Sequence, residues 1–392
     1  MISRDLFSGV GCDVRSAESE MADQSLTVLQ LVPALESGGV ERGTCEVAEE
    51  LVRRGHRSIV ISSGGKMVDR LVKGGSEHIA WSIGAKSPWT FRYVAKLRRL
   101  MTEEQVDILH VRSRVPAWIG WLAWKSLPAD RRPKFVTSVH GQYTVGRYSQ
   151  IMTQGDAVIA VSKTVGDYVM KNYPHTDPAR LHVIPHGRNQ DEFPHGHHPG
   201  DEWLSSWYQQ HPQTLGRILL TLPARLTRWK GQEDFLQLIR EVREEGIDVH
   251  GLLVGGADPR RVPYVDELKA LVKTDGLEDH VTFVGHRKDI RDIYAISAIV
   301  FSLSTDPEAF GRTSLEAVSL GIPVIGYDHG GVGETLRDIF PIGATPLGDR
   351  LKLKAKTLQL LKDGPFVVPR HDGYHLQDTL ETTIQLYGKL AA

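Results

Sequence analysis

Glu308 and Glu316 stand eight positions apart in Asp306-Pro307-Glu308-Ala309-Phe310-Gly311-Arg312-Thr313-Ser314-Leu315-Glu316-Ala317, around a Phe-Gly turn that is expected to open a helix toward Leu320. Glu308 falls in the polar loop after the apolar run Ile296 to Leu303, and Glu316 about two turns inside the helix. Between them the leading N–H groups, from Gly311 through Thr313 to Ser314, are expected to lack partners inside the helix and to carry its positive end, which suits a diphosphate. Glycine at 311 lets that backbone come close to a ligand. Such an arrangement can hold a sugar nucleotide, one carboxylate at the mouth of the site and the other on its flank. Upstream, Arg225 and Lys230 in Pro223-Ala224-Arg225-Leu226-Thr227-Arg228-Trp229-Lys230-Gly231 follow a strand end and flank a polar turn. A planar fork and a compact cation can converge there on one anion, although in isolation a solvated basic loop is the commoner reading.

Other positions carry weaker signals. Gly38 and Gly39, between a strand and a helix, permit close approach of a phosphate or acceptor, and a plain turn is the commoner reason for such a pair. His140 and His110 sit at the carboxyl ends of expected strands. His195, His197 and His198 cluster without a Cys or carboxylate at ligand spacing, so they read as linker rather than metal site. From Lys86 to Lys134 there are 11 Lys or Arg against 4 Asp or Glu, with Trp89, Trp118, Trp121 and Trp124 among them. That mixture suits anionic lipid headgroups, while Trp118, Trp121 and Leu122 at helical spacing also suit packing on a sheet.

Positioning these groups falls to a chain of 392 residues, enough for two domains of roughly 150 to 200 residues each. A net charge of -1 gives no overall attraction to nucleic acid. Two cysteines, Cys12 and Cys45, argue against a disulfide framework and fit a reducing compartment. No run reaches the ~18 apolar residues of a membrane span, and the opening stretch lacks a signal-peptide core, so a cytoplasmic protein is expected. Short β-rich runs alternate with helical patterns and the order repeats twice, the signature of parallel sheets. The first half carries Leu26 to Val32, Arg57 to Ser62, Asp107 to Val111, Lys134 to Val139, Ala157 to Val161 and Leu181 to Ile184. The second carries Arg217 to Leu222, Val249 to Val254, Val281 to Val284, Ala298 to Leu303 and Pro323 to Gly326.

Taken in order, these motifs resemble the GT-B-fold glycosyltransferases of family 4. The resemblance rests on four elements. One is the E-x7-E pair with Gly321-Ile322-Pro323-Val324-Ile325 and Gly330-Gly331-Val332-Gly333-Glu334 after it. The others are the Arg-x4-Lys-Gly element at Arg225, Lys230 and Gly231, the Gly38-Gly39-Val40-Glu41-Arg42 loop, and the hinge Val183-Ile184-Pro185-His186-Gly187. It covers nearly everything from Leu26 to Leu386 and implies an α/β fold of two Rossmann-like, doubly wound parallel-sheet domains facing a central cleft. The expected division is an extension over 1–24, either a disordered tail or a stretch upstream of a start at Met21, then an acceptor domain over 25–190 and a linker over 191–215. A donor domain over 216–370 follows, and a C-terminal helix over 371–392 crosses back to the N-terminal domain.

The resemblance further implies a retaining transferase that moves a hexose-type sugar from a nucleoside-diphosphate sugar to a lipid-linked or cell-surface glycan, with lipopolysaccharide core favoured. UDP is preferred to GDP as carrier. Arg225 and Lys230 would neutralise the leaving diphosphate, so neither metal nor resident cofactor is expected. Glu316 would accept from the ribose hydroxyls, Glu308 and the backbone of Ala309, Phe310 and Gly311 would hold the transferred sugar, and His140 would lie beside it. His286 and Arg287 follow the strand where relatives meet the base, mainly through main-chain atoms. The family often shows a second histidine two residues after the one at 110; this chain has Arg112, which suits an anionic acceptor. Expected partners are the nucleotide sugar, a glycan or glycolipid acceptor and the anionic inner-membrane surface, with no nucleic acid. Two other readings compete: a non-catalytic sugar-nucleotide-binding subunit and a sugar-nucleotide epimerase of the same fold.

Overall fold

The computed structural model describes residues 25–36, 38–256, 262–362 and 364–392. The expected extension over 1–24, with Cys12, lies outside the described residues. Two parallel sheets organise the chain. The first runs β3-β2-β1-β4-β5-β6-β7. Its strands are β1 Thr27–Leu31, β2 Arg57–Ser62, β3 Glu77–Ala80, β4 Ile108–Val111, β5 Lys134–Val139, β6 Ala157–Ala160 and β7 Leu181–Val183. The second runs β10-β9-β8-β11-β12-β13. It comprises β8 Ile218–Pro223, β9 Val249–Val254, β10 Val281–Gly285, β11 Ile299–Ser302, β12 Val324–Tyr327 and β13 Ala344–Thr345. The central strands are buried along nearly their whole length, as helices covering both faces of a parallel sheet require.

In the second sheet β8 pairs in parallel with both β9 and β11, so the strand order reverses there. The loops leaving the carboxyl ends of β8 and β11 therefore diverge around a crevice, the place where doubly wound sheets bind ligands. Those loops are 224–231 and 303–311, the two charged motifs singled out above.

By contact density one compact unit comprises the residues up to Val111 with Trp118–Val136 and Thr383–Ala392; the other comprises Arg112–Ala117 with Thr137–Thr382. In the first, Tyr387 of the C-terminal helix Leu376–Ala391 bonds through its hydroxyl to His110 Nδ1 at 2.5 Å, and both residues are fully buried. His110 is thus a core histidine. In the second, helix Gln232–Glu244 buries Phe235 and Ile239, an i,i+4 pair, against the sheet, with Phe235 5.4 Å from the Phe301 ring.

Three local features depart from the sequence expectation. Edge strands β3 and β13 were not foreseen: β3 is only partly buried and β13 is two residues long. Helix Asp201–Gln210 lies inside the stretch read as linker, with Trp207 buried and Trp203 stacked on it at 5.3 Å. Helix Arg312–Ser319 has eight residues, so Glu316 lies one turn inside it rather than two.

Candidate functional site

The 224–231 loop turns through a 3-10 segment, Arg228–Lys230, into Gly231 at φ 74°, a left-handed position where a side chain would also collide with the Leu303 carbonyl. Glycine here lets the two loops touch. The Thr305 N–H donates to the Trp229 carbonyl at 2.8 Å, locking them together. Lys230 Nζ then lies 2.8 Å from Glu308 Oε1 and 4.1 Å from the centre of the Trp229 ring. The Ser304 hydroxyl donates to the same carboxylate oxygen. With side-chain exposures of 13% and 18%, this pair is largely withdrawn from water, where its attraction is stronger than at a surface. Expected to serve separate parts of a ligand, Lys230 and Glu308 contact each other directly.

Arg225 is exposed and its guanidinium has no side-chain partner among the described residues. Its carbonyl is held by Gln232 Nε2 at 2.9 Å, which fixes the backbone of the loop.

Gly311, at φ 90°, stands before helix Arg312–Ser319, and no side chain caps the first turn. A Cβ at 311 would lie 2.7 Å from Val332, so this position is closed to other residues by space as well as by conformation. The Ser314 N–H donates to the Gly311 carbonyl at 3.1 Å, which corrects the expectation that it is unpartnered; the anion-facing donors reduce to the groups before it. Thr313 is half-buried, Glu316 is buried, and Ser314 Oγ is buried with no partner among the described residues. From behind, helix Gly330–Ile339 grips the loop: the Gly331 N–H donates to the Glu308 carbonyl at 2.8 Å and Thr335 Oγ1 to the Phe310 carbonyl at 3.2 Å. The backbone of Glu308, Ala309 and Phe310 is thereby held in place.

His140 follows β5. It stacks on His186 at 5.8 Å and 13°; His186 meets Phe310 edge-on at 5.6 Å, and Phe310 in turn packs against Tyr374 at 5.6 Å. Both His140 ring nitrogens are sealed from solvent and have no partner among the described residues. Burial first, then His186, Arg112 and Arg312 nearby, hold this imidazole well below its ordinary pKa, so it is neutral. A neutral ring offers one donor and one acceptor, which suits a hydroxyl-rich ligand. His186 had been read only as part of a hinge; the aromatic contact to Phe310 had no signal in one sequence.

Gly38 precedes helix Gly39–Arg53 in the other unit, where a side chain at 38 would collide with the Glu41 carboxylate. His286 is exposed. Arg287 forks onto Asp289 at 2.8 and 2.6 Å and lies over the Trp207 ring, so its guanidinium is committed within the protein. His195 bonds the Val368 carbonyl and His197 bonds Asp292, and among the described residues no group of His, Cys, Asp and Glu could hold a metal. Glu334, quoted above only within a motif, accepts from the N–H groups of Lys163 and Thr164 at 3.0 and 2.9 Å and from the Thr164 hydroxyl. It caps helix Lys163–Asn172, whose first turn has no acidic residue of its own.

Comparison with known proteins gives matches along most of the chain. Residues 37–192 match the family described as Glycosyltransferase Family 4, and residues 206–365 match Glycosyl transferases group 1. The N-acetyl-alpha-D-glucosaminyl L-malate synthase of Bacillus anthracis is 25% identical over 84% of this chain and 86% of its own length. A glycosyltransferase from Rickettsia africae ESF-5 superposes with a TM-score of 0.82 at 31% identity, covering 93% of this chain and 98% of that one. The Anabaena protein Alr3699/HepE, solved in complex with UDP and glucose, superposes at 0.72 with 22% identity over 93% and 94% of the two chains.

Proposed function

We infer that this chain, which belongs to glycosyltransferase family 4 and has the GT-B fold, transfers a hexose-type sugar from a nucleoside-diphosphate sugar with retention of configuration and without a metal. The observation that carries this reading is the partly buried Lys230–Glu308 contact beside an uncapped helix start and Arg225, whose guanidinium has no partner among the described residues. A diphosphate entering between these groups takes Lys230 and Arg225 as its cations and the N–H groups before Ser314 as donors, leaving the Glu308 carboxylate to turn to the sugar hydroxyls. Glu316 accepts from the ribose hydroxyls. His140, neutral, exchanges hydrogen bonds with the transferred sugar.

In the step itself the bond from the anomeric carbon to the phosphate oxygen breaks, and its electron pair leaves with the diphosphate. Lys230, Arg225 and the helix start stabilise that charge. The acceptor hydroxyl oxygen bonds to the same face of the anomeric carbon, and its proton passes to the departing phosphate oxygen. No protein nucleophile is required, and Glu308 and Glu316 do not act as a glycosidase pair.

Uridine is the favoured base, supported by the UDP bound to the Anabaena neighbour. The acceptor we favour is a lipid-linked or cell-surface glycan such as lipopolysaccharide core, reached from the cytoplasmic face of a membrane. Trp89 at 78% exposure and Phe91, beside Lys86 and Arg92, supply an amphipathic patch for that surface. Trp124 is excluded from it, because its indole bonds the Pro133 carbonyl and stacks on Phe135. No helix among the described residues is long and apolar enough to span a membrane. Co-sedimentation with vesicles should rise with anionic lipid content and fall in Trp89→Ala; binding indifferent to both would remove the membrane contact. Incubation with UDP-, GDP- and ADP-sugars, reading released nucleoside diphosphate with and without EDTA, tests the reaction class. Binding without release, even with glycolipid extracts, would instead favour a non-catalytic subunit.

A further inference from the structure

A second cavity, of about 520 Å³, lies at the other end of helix Arg312–Ser319, bounded by the 188–195 segment, Ser319 and residues 370–372. Its volume falls in the range that holds small-molecule ligands. Arg188 lines it, is only 8% exposed, and uses Nη2 on the His371 carbonyl at 2.9 Å. Its Nε is buried with no acceptor among the described residues, and among them no carboxylate forms an ion pair with the guanidinium, Asp372 acting on it only from further off. Burial depresses this arginine from its ordinary range and the nearby Asp372 carboxylate only partly offsets that, so a bound anion would relieve the remaining cost. His371 lines the same cavity with both ring nitrogens buried and without a partner among the described residues, and burial pushes it down to about 4, so it presents a neutral donor and acceptor. Arg370 adds a second, exposed guanidinium at the rim with no partner among the described residues. Two acidic side chains also line the space: Asp372, which bonds His375 at 2.9 Å, and the exposed Asp191.

We propose that this cavity is a binding site for a phosphoryl group carried by a small molecule, with Arg188 and Arg370 forking its oxygens and His371 completing the set. Asp191 and Gln190 at the wall suit hydroxyl groups, so a sugar phosphate fits better than a bare anion. The site is separate from the donor groups, being built on the opposite end of the helix that starts at Gly311. A chain of contacts runs between the two: the Arg188 N–H donates to the Tyr374 carbonyl at 2.7 Å, and the Tyr374 ring packs on Phe310.

Calorimetric titration of the full chain with glucose 6-phosphate, inorganic phosphate and glucose tests this. Saturable binding by one or both phosphates and none by glucose is expected, and the tighter of the two identifies the natural carrier class. Arg370→Ala, an exposed change, should weaken binding at least tenfold, Arg188→Met should abolish it, and Arg225→Ala should leave it unchanged. Absence of saturation by either phosphate would overturn the proposal. So would undiminished affinity in a folded Arg370→Ala protein, or loss of binding in Arg225→Ala, which would assign the anion to the donor site.

Discussion

Lys230, Glu308, Ser304 and Trp229 form a contact set whose members compete for one another. A partly buried ion pair contributes little net stability beyond its desolvation, so a ligand group can replace one partner at small cost. The two glutamates should then separate cleanly in their effects. Glu316→Ala is expected to weaken nucleoside-diphosphate affinity by about tenfold or more, ~1.4 kcal/mol, while Glu308→Ala keeps that affinity and loses transfer. Calorimetry with UDP beside an initial-rate assay checks this; equal UDP affinity in wild type and Glu316→Ala would refute the ribose role. The residue types and spacing were legible in the sequence because each is short-range. The direct Lys230–Glu308 contact was not, since it depends on Gly231 letting one loop touch another about eighty residues away. The stacking of His140 on His186 escaped for the same reason.

At the scale of elements, strands β8, β9, β11 and β12 read correctly to within about two residues, because continuous apolar runs in buried parallel strands leave little ambiguity. Short edge strands have no such run. Helix Asp201–Gln210 was hidden by its His-, Pro- and Gly-rich flanks, although Trp203 and Trp207 at i,i+4 were a usable signal. Glu334 was visible as a motif residue, but its role as a cap on a helix that begins about 170 residues earlier was not. Glu334→Ala strips three hydrogen bonds to a carboxylate from the start of Lys163–Asn172. It should cost about 1–3 kcal/mol, with Glu334→Gln intermediate. Thermal unfolding and amide exchange at Lys163 and Thr164 measure it; unchanged protection there would contradict the capping role.

For the whole molecule, buried histidines set the acid limit. Burial lowers His250 and His371 to about 4 from an unfolded value near 6.5. In each case the folded state disfavours the proton, so the contribution to stability is full above about pH 6.5 and is lost as pH falls toward 4. The melting temperature should decline over that window, and His250→Asn, which cannot take up the proton, should flatten the decline. A melting temperature independent of pH between those values would show that these rings are not buried neutral. The fold class itself was legible from the alternation of elements and the order of four motifs. Donor sugar and acceptor were not, because they are chosen by loop side chains whose contacts no single chain calibrates.

The central claim is that Lys230 and Arg225 stabilise a departing nucleoside diphosphate in place of a metal. Its most direct test is the rate of nucleoside-diphosphate release from the best donor of the sugar-nucleotide panel, measured in EDTA for wild type and Lys230→Ala. The account predicts metal-independent release in wild type and a fall in kcat of about 10²–10³-fold in the variant, the scale seen when one oxyanion-stabilising group is removed. A Lys230→Ala protein that releases the diphosphate at the wild-type rate would contradict it.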